Sequence, residues 1–400
     1  MDSIRNQFPI LATTVNKNPL IYLDNAASTQ KPLVVIDSIS EYYRNFNSNI
    51  HRGAHYLANI ATEKYENVRT QLASFLGGQP HEIIFTSGTT QSVNLLMQSW
   101  GRKFLTSVDE IVLSEMEHHA NLVPWIALQN EIGFKINYIP MMISGQLDIS
   151  NLGQIITPKT KLVSIAYISN ALGTIHPVAQ IIEQAKVFSA LVHLDCAQAI
   201  QHVSIDVRAL GIDFLSFSSH KIYGPMGVGV FWGKEDLLKE MNPYLYGGEM
   251  IKEVFLDKVT FNELPYKFEA GTPNVADVLG LGAAVKYIED IGLQNIKQIE
   301  NELHSYLMLE IEKVDKIIIY TPKENSTAVV SFNIEGAHPY DIGQLLDAKG
   351  IAIRTGHHCC QPLMRKLGLE GTCRASLSFY NTKEEIDSFI TVLKSIVKLV

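Results

Sequence analysis

Three short stretches carry side chains whose types and spacing suit chemistry. In SFSSHKIYGPMG, Lys221 stands between an apolar run and a Gly/Pro turn, beside Ser218 and His220. A lysine so placed can condense with an aldehyde, although most lysines are solvated surface groups. In HLDCAQA, Asp195 ends an apolar run just before Gln198. A carboxylate there needs a partner because unpaired burial is costly; a protonated pyridine nitrogen would serve, and so would the N–H groups of a helix start. In FTSGTTQSV, Thr86 to Thr90 are small or hydroxylated residues at the opening of a helix. Such a turn admits a phosphate, or it is a plain cap. Taken one at a time, each has an ordinary explanation. Together, a phosphate cradle, an acid for a ring nitrogen and a lysine for an aldehyde describe a pyridoxal 5′-phosphate pocket.

Two further stretches fit that pocket. EMEHHANLVPW places His118 and His119 after an apolar run, where one imidazole can stack on a flat ring or handle a proton. Asn170, in ISNALG, is available to a ring oxygen or a substrate carboxylate. A third stretch, RTGHHCCQ (354–361), sets two histidines against two of the chain's four cysteines. Four consecutive ligands converge poorly on one metal ion, and a disulfide between adjacent cysteines is strained and easily reduced. A nucleophilic thiolate among Arg354, His357 and His358 has chemistry behind it. If the segment is extended, only one of Cys359 and Cys360 faces the pocket, and the residues alone do not say which.

The elements that must position these groups are legible as alternating helix and strand from about residue 30 to 235. Strand candidates occur at 82–85, 110–114, 135–140, 161–169, 190–195, 213–219 and 227–233, mostly as continuous apolar runs. Such runs suit strands covered on both faces, hence an α/β architecture with a mainly parallel sheet. Helical patterns separate several of them, at 65–77 and 177–189 for example. In such sheets, ligands gather beyond the carboxyl ends of the strands, where every stretch quoted above except RTGHHCCQ falls. After a connecting region at 234–285 and a helical stretch at roughly 275–313, shorter strands and an amphipathic closing helix (383–400) indicate a smaller α+β domain.

Composition bounds the function. The 400 residues are 46% hydrophobic and 18% charged with net charge −8, which suits a two-domain globular protein and argues against nucleic acid or anionic membrane as a partner. No apolar run has the length of a membrane span, and the four cysteines are too few for a disulfide framework. A reducing, cytoplasmic setting is expected.

Nearly end to end, the chain resembles the PLP-dependent cysteine desulfurases of the Suf type, within the class V aminotransferase fold. The resemblance is carried by YLDNAAST, NIHRGAHYLA, ATEKYENVR, EMEHHANLVPW, SNALGT, DCAQA, SHKIYGPMGVG, FEAGTPN, RTGHHCCQPLM and CRASLSFYNT. It implies a fold type I (aspartate aminotransferase-like) PLP-dependent transferase. A large PLP-binding domain is expected over 19–285, and a small domain, formed by 1–18 and 286–400, is expected to carry the cysteine loop. By the same resemblance, Lys221 holds pyridoxal phosphate and moves the substrate Cα proton, while His118 stacks on the ring. Asp195 meets the ring nitrogen and Gln198 the ring hydroxyl. Thr89, Thr90, Ser218 and His220 hold the phosphate, with Thr272 arriving from the second subunit of a homodimer. Arg374 and Asn170 bind the substrate carboxylate, and Arg354 is a further contact. Cys359 is the nucleophile that becomes a persulfide, releasing alanine, the sulfur passing to an acceptor protein of the Suf system for iron–sulfur cluster assembly. Cys360 and Ser219 depart from the small residues common in relatives. Cys360 is expected to fill space, as are Cys196 and Cys373. The alternatives are a selenocysteine lyase, an aminotransferase, or a sulfur-relay scaffold dependent on its partner.

Overall fold

A computed structural model describes residues 2–399. Seven strands form the main sheet: β1 (Ile83–Thr86), β2 (Glu110–Ser114), β3 (Lys135–Ile139), β4 (Thr160–Ala166), β5 (Leu191–Asp195), β6 (Phe214–Ser218) and β7 (Gly229–Gly233). Their order is β1-β7-β6-β5-β4-β2-β3, parallel throughout except for β7, which runs antiparallel to both its neighbours. Alternate residues feed two separate cores. Val112 and Val163 pack on one face; Ile111, Leu113 and Leu162 pack on the other. That two-sided burial explains why the strands read as unbroken apolar runs.

Glycine sets the geometry where the sheet meets helix α1 (Thr89–Leu96). Gly88 precedes α1 with φ 149°, a conformation that side chains disfavour. Gly229 on β7 faces it so closely that an added Cβ would lie 2.7 Å from the Gly88 nitrogen. Gly229→Ala is therefore expected to cost about 1–3 kcal/mol and to distort this turn. Chemical denaturation of the variant beside wild type measures the loss.

Helix α2 (His119–Ile132) follows β2. The helical stretch after 275 is two helices, α3 (Val275–Ile291) and α4 (Leu293–Ile311), broken at Gly292 with φ 87°. The region expected as a connector also contains a hairpin, Ile251–Val254 with Val259–Phe261. The helix expected over 65–77 begins earlier, at Tyr56, where the His55 side chain caps the Ala58 N–H. Its first two turns continue the buried spacing through Ala58 and Ala61, side chains too small to mark it.

A second sheet of β8 (Ile317–Ile319), β9 (Val329–Ile334), β10 (Arg354–Gly356) and β11 (Thr372–Ser376) is antiparallel, in the order β8-β9-β11-β10. Its core includes Leu303, Leu307, Phe332 and Phe389, together with Leu23 from the N-terminal segment. Ile21–Tyr22 pairs with Ile351–Ala352, whereas Phe8 and Leu11 pack into the larger core. The short helix α5 (Gln361–Lys366) after the cysteine pair buries Leu363 and Met364 in that larger core as well. The cysteine loop thus joins β10 of the small sheet to a helix anchored on the large one.

Candidate active site

The carboxyl ends of β4, β5 and β6 and the turns after β1 and β2 open on one cavity of about 220 Å³. Thr89, Thr90, His118, Asn170, Asp195, Gln198, Ser218, His220, Lys221, Arg354 and Arg374 all line it, alongside His358. Of the residues selected from sequence, only Cys359 and Thr272 are absent from its wall.

Ser218 ends β6 and joins the wall to the α1 turn. Its Oγ accepts the Thr89 N–H at 2.8 Å and lies 2.8 Å from the Thr89 hydroxyl. Lys221 follows in a single turn of 3-10 helix, Ser219–Lys221. Burial holds its amine down to about 8; Asp195 opposes that shift, and the Arg374 and Arg354 charges reinforce it. Asp195 is itself pushed up by burial, while accepting the Ala197 N–H at 2.9 Å and feeling the Lys221 charge. Its second oxygen, Oδ2, makes no hydrogen bond among the described residues, which leaves an acceptor at the end of β5.

Other wall atoms are unsatisfied. Gln198 donates from Nε2 to the Ala26 carbonyl at 2.7 Å, yet its Oε1 is buried without a partner. His220 Nδ1 and His358 Nδ1 are orphaned in the same way. Buried polar atoms of this kind ordinarily have partners, so several at one cavity point to a polar occupant. The α1 turn, the free Asp195 oxygen, Gln198 Oε1 and the Lys221 amine match the phosphate, ring nitrogen, ring hydroxyl and aldehyde expected from the sequence. The residues present fit pyridoxal phosphate.

His118 is the N-cap of α2, its Nδ1 accepting the Ala120 N–H at 3.0 Å. Burial first, and then the Lys221 charge, press its pKa down to about 3, so the ring is neutral with its proton on Nε2. At neutral pH it therefore offers the cavity a donor.

Arg354 and Arg374 stand opposite each other across β10 and β11. Arg374 is fully buried: Nη1 donates to the Asn170 carbonyl at 2.8 Å, Nη2 pairs with Asp24 at 3.0 Å, and Nε is orphaned. Burial lowers its pKa and Asp24 offsets part of that. Two guanidiniums at one wall suit a carboxylate ligand. Arg374→Lys loses the planar fork and is expected to raise KM for a carboxylate substrate by about 10- to 100-fold, with a smaller effect on kcat; steady-state kinetics on the purified variant checks this.

The cysteine loop is a turn, not the extended segment considered from sequence. His358 and Cys359 have φ of 51° and 57°, so the alternation argument does not apply to them. The physical reason lies in the anchors on either side. The Cys359 N–H donates to His357 Nδ1 at 3.0 Å, its carbonyl accepts the His119 N–H at 2.8 Å, and the Gln361 N–H donates to His119 Nε2 at 3.2 Å. Cys359 ends up partly exposed. Cys360 is fully buried, its thiol donating to Asn170 Oδ1 at 3.1 Å and pushed strongly up by burial. Asn170 is largely committed to this loop, since Nδ2 donates to the His358 carbonyl at 2.7 Å. One N–H of that amide remains for a ligand. Thr272 is exposed and lies away from the cavity of its own chain.

Sequence reasoning passed over two titratable groups at this site. Lys31 donates to the His220 carbonyl at 3.1 Å and to the Thr29 carbonyl, and burial lowers it to about 7; nothing in its sequence neighbourhood marks it. Glu117 is buried directly before His118. Its place inside the EHH stretch was the available signal.

The aminotransferase class-V family model matches residues 21–389. A cysteine desulfurase of Yersinia pseudotuberculosis serotype O:1b (strain IP 31758) is 45% identical over 401 residues, covering all of this chain and 98% of the relative. A probable cysteine desulfurase of Halalkalibacterium halodurans is 46% identical over 386 residues, covering 96% and 95%. Among solved structures, an apo cysteine desulfurase from Thermococcus onnurineus NA1 superposes with TM-score 0.95 at 38% identity, covering 100% of this chain and 98% of that one. The Escherichia coli cysteine desulfurase CsdA, in an S-sulfonic acid form, gives 0.91 at 36% identity with the same coverage. With its residues 21–389 matched and relatives this similar along its whole length, the chain belongs to the aminotransferase class-V family.

Proposed function

We propose that this chain is a pyridoxal 5′-phosphate-dependent L-cysteine desulfurase, converting L-cysteine to L-alanine and leaving a persulfide on Cys359. The observation that carries the proposal is a cavity with a half-buried lysine, an aspartate and two guanidiniums, closed on one side by a loop that bears a partly exposed cysteine. The bound cofactor supplies an electron sink for the pair released when the substrate Cα–H bond breaks. Arg374, Arg354 and the free Asn170 N–H hold the substrate carboxylate. The Lys221 amine takes the Cα proton and returns one to carbon, a task suited to a group held near 8. His118 donates from Nε2 beside the substrate sulfur. The deprotonated Sγ of Cys359 attacks that sulfur: an S–S bond forms, the substrate C–S bond breaks, and the carbon skeleton leaves as alanine once protonated.

The proposal extends to a homodimer in which the partner's exposed 272 loop completes the phosphate site, to a Suf-type acceptor protein that removes the sulfur, and to a cytoplasmic setting. The four cysteines are unpaired, in keeping with a reducing compartment. No helix among the described residues is long and apolar enough to cross a membrane. The proposed domain division is 19–285 against 1–18 with 286–400, and the N-terminal segment crosses it, Phe8 and Leu11 packing into the larger core and Leu23 into the smaller.

The test is alanine release from L-cysteine by the cofactor-loaded protein, with and without a thiol reductant as sulfur acceptor. A stoichiometric burst that becomes catalytic on adding reductant is expected. A keto acid product in place of alanine would instead indicate an aminotransferase, and turnover of L-selenocysteine alone a selenocysteine lyase.

A further inference from the structure

Behind the cavity wall, buried side chains are hydrogen-bonded in a line across four adjacent strands. The Ser216 Oγ on β6 lies 2.9 Å from His193 Nε2 on β5, and His193 Nδ1 lies 2.7 Å from Ser164 Oγ on β4. Ser164 Oγ is 2.6 Å from Asn121 Oδ1, and Asn121 Nδ2 is 2.8 Å from Glu117 Oε2. From β2, the Ser114 hydroxyl reaches Glu117 Oε1 at 2.5 Å.

The line has a fixed polarity. Trp125 Nε1 donates to Asn121 Oδ1 at 3.4 Å and Asn121 Nδ2 also donates to the Ser164 carbonyl at 3.2 Å, which sets the amide's orientation. The Ser164 hydroxyl must then donate to Asn121 and accept from His193 Nδ1–H. Burial presses His193 down to about 3, so it is neutral and accepts the Ser216 hydroxyl at Nε2. Every donor therefore points towards Glu117. The Ala166 N–H at the end of β4 adds another, 3.0 and 3.2 Å from the two carboxylate oxygens. A carboxylate accepts all of these, whereas a carboxylic acid or an amide is accommodated only if the Ser114 hydroxyl turns round to accept from it.

We propose that Glu117 is a positioning residue whose ionised carboxylate, held by this line of donors and by the Ala166 N–H, fixes the backbone from which His118 enters the cavity. Ala166 and His118 both line the cavity, and Asn121 lies in the first turn of α2 that His118 caps. Glu117 thus bolts the turn after β2 to the floor formed by β4. The titratable groups facing it are Asp195 from β5, the buried Cys360 thiol from the cysteine loop, and His118 in its own turn. Burial, with a contribution from Asp195, raises Glu117 to about 7 against the pull of its donors. It is protonated below that pH and ionised above it, so the anchor tightens as pH rises through neutrality.

The inference rests on the role proposed for His118, and the test separates the two. The apoprotein, isotopically labelled at histidine, is followed by NMR from about pH 6 to pH 8.5, a range in which a His118 held near 3 does not itself titrate. A displacement of the His118 ring resonances with a midpoint near neutrality is expected in wild type and lost in Glu117→Gln, while a separate displacement near 8, from Lys221, persists in both. In the loaded enzyme, Glu117→Gln is expected to lower kcat about tenfold at about pH 8.5 with KM within about twofold, the gap closing towards about pH 6. A wild type whose His118 resonances lack the displacement near neutrality would overturn the inference, whether or not the variant folds. So would a kcat ratio independent of pH, while an inactive protein with the expected NMR titration would count against the functional reading instead.

Discussion

Lys221→Ala is expected to reduce alanine formation by about three orders of magnitude, roughly 4 kcal/mol of barrier. The lining of the cavity includes no second amine to replace it, since the remaining basic groups there are the guanidiniums of Arg354 and Arg374 and the neutral imidazoles of His118, His220 and His358. Lys31 is near, but its Nζ already donates to the Thr29 and His220 carbonyls. The α1 turn, Asp195 and Gln198 are untouched by the substitution. The variant should therefore still bind pyridoxal phosphate, reversibly, and dialysis should strip it more readily than from wild type. Single-turnover alanine assays together with cofactor absorbance before and after dialysis separate lost chemistry from lost binding. Tight retention with near-normal turnover would remove Lys221 from the mechanism.

Cys359→Ser is expected to lower turnover by at least about two orders of magnitude, roughly 3 kcal/mol, while leaving cofactor and substrate binding near wild type. The side chain lies outside the cavity wall, and the loop is held by backbone groups: the Cys359 carbonyl to the His119 N–H and the Cys359 N–H to His357. Serine keeps those contacts and removes only the nucleophilic sulfur. Cys360 is a poor substitute because it is buried in the core, its thiol protonated and spent on Asn170 Oδ1. Spectral titration with L-cysteine reads binding, and alanine release reads chemistry. A variant that still turns over at more than about a tenth of the wild-type rate would contradict the assignment.

Much of this was legible in the chain. Continuous apolar runs such as LVSIA and FLSFS identify strands buried on both faces, and small or charged residues at their ends mark the cavity. The residues that escaped notice share a physical cause. β10 is only Arg354–Gly356, and its strand character comes from pairing with β11, not from apolar alternation. The turn at His358 and Cys359 contains no glycine, so its left-handed backbone has no local signature; it is imposed by His119 and Asn170 from distant parts of the chain. Glu117 and its line of donors join residues scattered from 114 to 216, and only the parallel sheet brings them into register. Asn170 was legible as a site residue, but not its commitment to the loop, which depends on a carbonyl 188 positions away.

The central claim is that Cys359 itself accepts the substrate's sulfur, and intact-mass analysis after incubating the cofactor-loaded protein with L-cysteine tests it most directly. Wild type and Cys360→Ser are expected to gain one sulfur atom, removable by reductant, and Cys359→Ser to gain none. A reductant-labile sulfur on Cys359→Ser, with none on Cys360→Ser, would place the nucleophile at the buried cysteine and contradict the account.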